Sequence, residues 1–227
     1  MIDINATFSY VPSKMNVESL YKKAIKDLWD DSIDSLPEGL GKEIAKRGYA
    51  VEQDLPHDDV LFVGMNPAYD ERREHPGVRI YNVADKGNAF FKAIVDFSER
   101  TREYSNPSHH DLLFVRHTNQ KDVEAILKNG PFKGFLQKQL DISMEIIRSL
   151  SPKLIVVLNA GACKLFDSMF TRVSDEHIQK DLGAYPFLIN EVTPVLFSSM
   201  LSGQRALDRG SRNSLSWHIN FILNNLR

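Results

Sequence analysis

A single cysteine, Cys163, occurs in 227 residues. That leaves no internal disulfide, no Cys-rich zinc site and no iron–sulfur cluster, which takes about four thiolates; a reducing compartment fits. Long apolar runs are missing too. None approaches the ~20 residues that span a bilayer, and Met1 to Tyr10 carries acidic and polar residues where a secretory signal has basic and apolar regions. The expected setting is soluble and cytoplasmic. An excess of one charge is absent as well: 28 Lys and Arg against 30 Asp and Glu give a formal net charge of −2. Any contact with nucleic acid must therefore come from a local patch. Neither a Gly-x-Ser-x-Gly elbow nor a Gly-x-x-x-x-Gly-Lys loop occurs, which counts against hydrolase and nucleotidase readings built on them. The histidines, His109, His110 and His117 among them, form no helical pair beside a carboxylate, so no metal and no cofactor is expected. Cys163, in an apolar helix start, reads as a small buried thiol.

What is present is a regular alternation of apolar strands and amphipathic helices. Val60-Leu61-Phe62-Val63-Gly64-Met65-Asn66-Pro67-Ala68 reads as a buried strand ending in a tight turn. The spacing predicts helices over Val17–Leu36, Gly87–Glu103, Phe135–Leu150 and Ser214–Leu226, the last burying Trp217. It predicts further strands at Asp111–Val115, Leu154–Leu158, Tyr185–Ile189 and Pro194–Phe197. Leu154-Ile155-Val156-Val157-Leu158 is apolar throughout, as a central strand of a parallel sheet is. Tyr69 to Lys86 is a polar segment too long for a simple connection, and such loops are usually functional. The expected architecture is α/β: a three-layer α/β/α sandwich around a mainly parallel four-stranded sheet. One domain is expected over 1–227, with 1–45 as an N-terminal helical extension.

Two places can carry chemistry. Asn66 sits at the carboxyl end of a strand, where open α/β sheets bind their ligands. Near the C-terminus, a helix over Ala206–Arg212 would bring Arg205, Arg209 and Arg212 to one face at i, i+4 and i+7. Ser199 and Ser202 would add hydrogen-bond donors to that anion-binding face.

Gly64-Met65-Asn66-Pro67 resembles the first motif of the uracil-DNA glycosylase superfamily, in particular its mismatch-specific and single-strand-selective branches. Gly87-Asn88-Ala89-Phe90-Phe91-Lys92 resembles the stretch that opens the next helix in the mismatch-specific branch. Phe197-Ser198-Ser199-Met200-Leu201-Ser202 lies where the second motif, His-Pro-Ser-x-x-Ser, is expected. The resemblance runs from about Val60 to the C-terminus. Ala68 stands where the family has glycine, and Phe197 where it has the histidine that hydrogen-bonds to the leaving base.

The resemblance implies a uracil-DNA glycosylase-like fold. It also implies a monofunctional, cofactor-independent DNA N-glycosylase of base excision repair that flips out a deaminated or modified base from single- or double-stranded DNA. A monomer is expected, nucleoid-associated if it binds DNA. Asn66 would position the attacking water, with Gly64, Met65, Tyr81, Asn119 and Phe197 around the base. Tyr81 would stack on it and Asn119 would read its edge. Leu201 would wedge into the vacated stack, with Ser199, Ser202, Arg205, Arg209 and Arg212 on the phosphates. The missing histidine leaves three alternatives: a substitute donor such as His117 or Gln204, a better leaving group, or a protein that binds DNA or a modified base without cutting. An unrelated doubly wound α/β enzyme for a small substrate is the remaining alternative.

Overall fold

The structure, a computed structural model, describes residues 14–56, 59–72, 74–84, 87–101, 107–128, 130–171, 178–188, 190 and 192–226. Met1 to Tyr10, Lys86, Glu103 and Ile189, each read above, lie outside the described residues. In chain order the elements are β1 (Lys14–Asn16), α1 (Val17–Ser32), α2 (Leu40–Arg47), β2 (Ala50–Glu52), β3 (Asp54–Pro56), β4 (Val60–Gly64), β5 (Arg79–Tyr81), α3 (Ala89–Arg100), β6 (Ser108–Asp111), α4 (Gln120–Lys128), α5 (Gly130–Leu150), β7 (Leu154–Leu158), α6 (Ala160–Phe170), β8 (Tyr185–Pro186), β9 (Pro194–Ser198) and α7 (Arg209–Asn225).

The central sheet is mostly parallel, in the order β6-β4-β7-β9-β8. Four strands are parallel, as expected, and the two-residue β8 adds an antiparallel edge on β9. Strand alternation sends Leu61, Val63, Ile155, Val157 and Val195 into one apolar cluster and Val60, Phe62, Leu154, Val156 and Leu196 into another. Residues of α1, α5 and α6 complete the first cluster, and residues of α3 and α7 the second. Helices therefore cover both faces, which is why β4 and β7 are apolar at nearly every position.

The segment expected as an N-terminal extension is integral to the larger cluster. Asn16 caps α1 by accepting from Ser19 N at 2.6 Å. The buried stripe Val17, Ile25, Leu28 and Trp29 then faces inward, and the Trp29 ring meets Phe135 of α5 edge-on at 5.1 Å. Leu36 and Ile44 join the same cluster.

Two expected elements are displaced. The second strand of the sheet is Ser108-His109-His110-Asp111, not Asp111–Val115. The apolar residues Leu112 to Val115 are buried just past its end, so the strongest apolar signal marks the segment after the ladder. The last helix begins at Arg209, where Asp208 caps it by accepting from Ser211 N at 2.9 Å. Trp217 on that helix is 66% exposed, not buried. No helix among the described residues is long and apolar enough to cross a membrane.

Candidate active site

From β4 the chain crosses to β6 on one side, and from β7 it crosses to β9 on the other. The carboxyl ends of β4 and β7 therefore flank a topological switch point, where connections diverge and leave a crevice. A cavity of about 670 Å³ opens there, lined by Gly64, Met65 and Asn66 after β4 and by Asn159 after β7. That volume is in the range of small-molecule sites.

Asn66 is held by its amide. Its Nδ2 donates to the carbonyls of His117 at 2.6 Å, Pro67 at 3.0 Å and Val115 at 3.3 Å. Three acceptors around one NH2 group fix which end is nitrogen, and Oδ1 is left buried with no hydrogen-bond partner. An unfilled acceptor beside a polar cavity suits a water or a ligand N–H.

The long polar segment forms one wall of this cavity. β5 pairs in parallel with β2, and the buried Arg116 ties down the residues before it. Its guanidinium donates to the carbonyls of Arg47, His75 and Gly77 at 2.9–3.0 Å and to Glu74 at 2.8 Å. It also lies 4.8 Å from the centre of the Tyr69 ring. Gly48, at φ 77°, passes so close that a Cβ would stand 2.3 Å from the Gly77 carbonyl oxygen, which only glycine permits. Glu74, Arg79 and Tyr81 thereby line the cavity. Asn88 caps α3 by accepting from Phe90 N at 2.9 Å and sets Phe90 and Phe91 into the lining, where Phe91 stacks on Tyr81 at 5.1 Å.

Beneath the cavity lies a buried polar cluster. Glu52 accepts from the Tyr81 hydroxyl at 2.6 Å and from Asp111 N at 3.1 Å, and its other oxygen is 3.2 Å from His110 Nδ1. The Tyr81 hydroxyl is also 3.3 Å from Asp111 Oδ2. Burial, then the neighbouring Glu52 charge, pushes the Asp111 carboxyl well above its ordinary range. Burial works in the same direction on Glu52, but His110, His109 and the Tyr81 hydrogen bond outweigh it and hold Glu52 below the usual value. His109, enclosed by the edges of Phe90 and Phe91, is pushed down to about 4 by burial.

Glu52, His109 and Asp111 can offer one ligand atom each within 4.8 Å of one another, the arrangement a metal ion requires. The Glu52 oxygens already serve three protein groups, however, and a Cβ placed on Gly64 would come within 2.1 Å of Asp111 Oδ1 and 2.9 Å of His109 Nε2. The space between those two ligand atoms is thus bounded by the β4 backbone. The cluster fits a shared proton better than a metal ion.

Protein-family models and curated proteins give no match to this chain. The residues singled out from the sequence divide in two. Gly64, Met65, Asn66, Tyr81, Asn119 and Arg205 line the one cavity, as do His117, Gln204 and Met200. Phe197, Ser199, Leu201, Ser202, Arg209 and Arg212 do not.

Each of the main departures has a physical cause. Phe197 shares its strand face with Val195, on the side of the larger apolar cluster, and its ring packs 5.5 Å from Tyr185. Leu201 is 1% exposed and packs among residues of the smaller apolar cluster, so it does not project as a wedge. Arg205 lies in a turn before α7, so the three arginines share no helix face. Arg212 donates to the carbonyls of Leu207 and Leu201 at 3.0 and 2.8 Å and braces the loop. Arg209 is exposed on the first turn of α7. His117 has both ring nitrogens engaged, Nδ1 by Arg47 and Nε2 by Asp122 at 2.9 Å.

Sequence reasoning missed Glu52, Asp111 and His109. The one available signal was the polar triplet His109-His110-Asp111 directly before an apolar run.

Proposed function

We propose that this protein is a uracil-DNA glycosylase-like enzyme that takes a deaminated or modified base out of DNA and hydrolyses its N-glycosidic bond. One observation carries the reading: Asn66, Tyr81, Asn119 and Arg205, separated widely along the chain, line a single cavity at the strand switch point. The fold is read as a uracil-DNA glycosylase-like sandwich on the same ground. The base would enter beside Tyr81 and Phe90, with Asn119 as an edge-reading amide. Asn66, its amide pinned by backbone carbonyls, would turn Oδ1 toward the attacking water. A neutral amide accepts no proton, so its contribution is orientation and electrostatics, and slow turnover follows. Met200 replaces Leu201 as the apolar side chain at the cavity. Arg205, Lys121 and Arg209 would meet phosphates, giving a salt-dependent, sequence-independent affinity for DNA.

A second reading is favoured by Phe197, which stands outside the cavity, and by His117, whose nitrogens are engaged. Without a donor to the departing base the protein would bind a modified base and not cut. One comparison separates the two readings. The protein is incubated in excess over oligonucleotides carrying uracil, hypoxanthine, xanthine or mismatched thymine, and abasic sites are then cleaved with alkali. Strand breaks that disappear in Asn66→Ala support the enzyme; binding without breaks supports the second reading.

A further inference from the structure

We propose that Asp111 is the acid of this site, donating a proton to the departing base in place of the absent histidine. This rests on the glycosylase reading above. Among the members of the buried cluster, Glu52 is 1% exposed, His109 0% and Asp111 10% at the side chain, so Asp111 is the carboxyl that reaches the cavity. It stands at the carboxyl end of β6, paired in register with Gly64, two residues before Asn66. The missing Cβ at Gly64 lets the carboxyl lie against the β4 backbone at the cavity floor. A wider residue there would displace it.

The surroundings favour the protonated form of Asp111. Glu52 holds the negative charge of the pair, stabilised by His110 and the Tyr81 hydroxyl. That hydroxyl has one proton, and the nearer Glu52 oxygen takes it. His109 Nε2 is 3.6 Å from Asp111 Oδ1, beyond hydrogen-bond reach, and both His109 nitrogens are buried without a hydrogen bond. On the cavity side the charged or titratable groups are Glu74, Arg79, His117, Lys121 and Arg205.

In the reaction, the bond between the sugar C1′ and the base nitrogen breaks and its electron pair goes to the base. The Asp111 O–H proton passes to the base oxygen conjugated with that nitrogen, leaving a carboxylate. Water then bonds to C1′ and loses a proton to solvent, from which Asp111 is reprotonated. The sum is hydrolysis, with no other reactant.

The test is single-turnover excision from the four oligonucleotides, followed against pH for wild type, Asp111→Asn and Glu52→Gln. Asparagine is nearly isosteric with a neutral carboxyl and preserves the fold while having no transferable proton. Wild-type rate is expected to fall as pH rises through the Asp111 ionisation. Asp111→Asn should be slower by about 10²-fold or more, as loss of a general acid is, and should lack that limb. Glu52→Gln removes the neighbouring charge without touching the base, so the limb should move to lower pH. An Asp111→Asn protein with wild-type rate and pH profile overturns the assignment of Asp111 alone. No excision by wild type overturns the reading of the whole site, and Asp111 with it.

Discussion

β6 and β7 flank β4 on either side, and every residue of both is buried. One reads Leu-Ile-Val-Val-Leu; the other reads Ser-His-His-Asp. Burial of β7 is favourable through transfer of apolar surface alone, roughly 1.5–3 kcal/mol per large side chain. Burial of β6 is unfavourable unless each polar group finds a partner. His110 and Asp111 find theirs on Glu52 of β2 and Tyr81 of β5, Ser108 donates to the Pro56 carbonyl of β3, and His109 is left without a hydrogen bond. Equal burial therefore conceals opposite energetics. The strand that departs from the hydrophobic pattern is the one that delivers a titratable side chain to the cavity.

The sharpest way to break the comparison is Glu52→Ala. It leaves the Tyr81 hydroxyl, the Asp111 amide and His110 without their acceptor, and a loss of about 3–5 kcal/mol is expected. Denaturant unfolding of Glu52→Ala against Glu52→Gln measures it. A loss below 1 kcal/mol would show that β6 does not depend on its polar partners.

pH separates the two strands next, because β7 does not titrate. His109 has a folded pKa of about 4 against an ordinary 6.5. The unfolded chain binds its proton first, so this contribution is complete above pH 6.5 and is lost as pH falls toward 4, on the order of 3 kcal/mol. Asp111 acts in the opposite sense. Its raised pKa contributes stability that is complete below about 3.8 and is lost as pH rises through the folded value. The two oppose each other as pH rises from 4, over the range in which Asp111 is losing its proton. In Asp111→Asn the acid-side loss from His109 should therefore be steeper than in wild type, and it should flatten in the Asp111→Asn/His109→Gln pair. Unfolding curves at pH 7 and pH 4.5 read the difference.

On β7, Ile155→Val removes one methylene from a dry core and should lower stability by about 1 kcal/mol at every pH. A pH-dependent effect would tie β7 to the titrating cluster. The smallest stability effect is expected at the surface. Arg205→Ala should leave stability within about 0.5 kcal/mol and reduce the slope of log affinity for DNA against log salt by about 1. Arg212→Ala should instead destabilise, since its guanidinium braces the Leu201–Leu207 loop.

The cavity was legible where its residues follow a strand that announces itself. Val60 to Gly64 is an uninterrupted apolar run, and Asn66 follows it on a Gly-x-Asn-Pro turn whose backbone preferences are local. Tyr81 and Asn119 were reached by chain order and family resemblance, and both line the cavity. The projecting wedge at Leu201 and the shared helix face of Arg205, Arg209 and Arg212 failed because a motif states neither which way a side chain points nor where a helix begins. Asp208 caps α7 at Arg209, and this single local interaction leaves Arg205 in a turn.

Periodicity and turn chemistry by themselves determined the alternating α/β order, the strands β4, β7 and β9, and the carboxyl-end position of Asn66, since each depends on interactions within a few residues. Tertiary structure alone decided the rest. Glu52 meets Tyr81, His110 and Asp111 across 29, 58 and 59 residues of chain. The ionisation of Asp111 and the burial of β6 follow from that meeting, because desolvation and Coulomb interaction act through space, and nothing local to Ser-His-His-Asp states what will lie beside it.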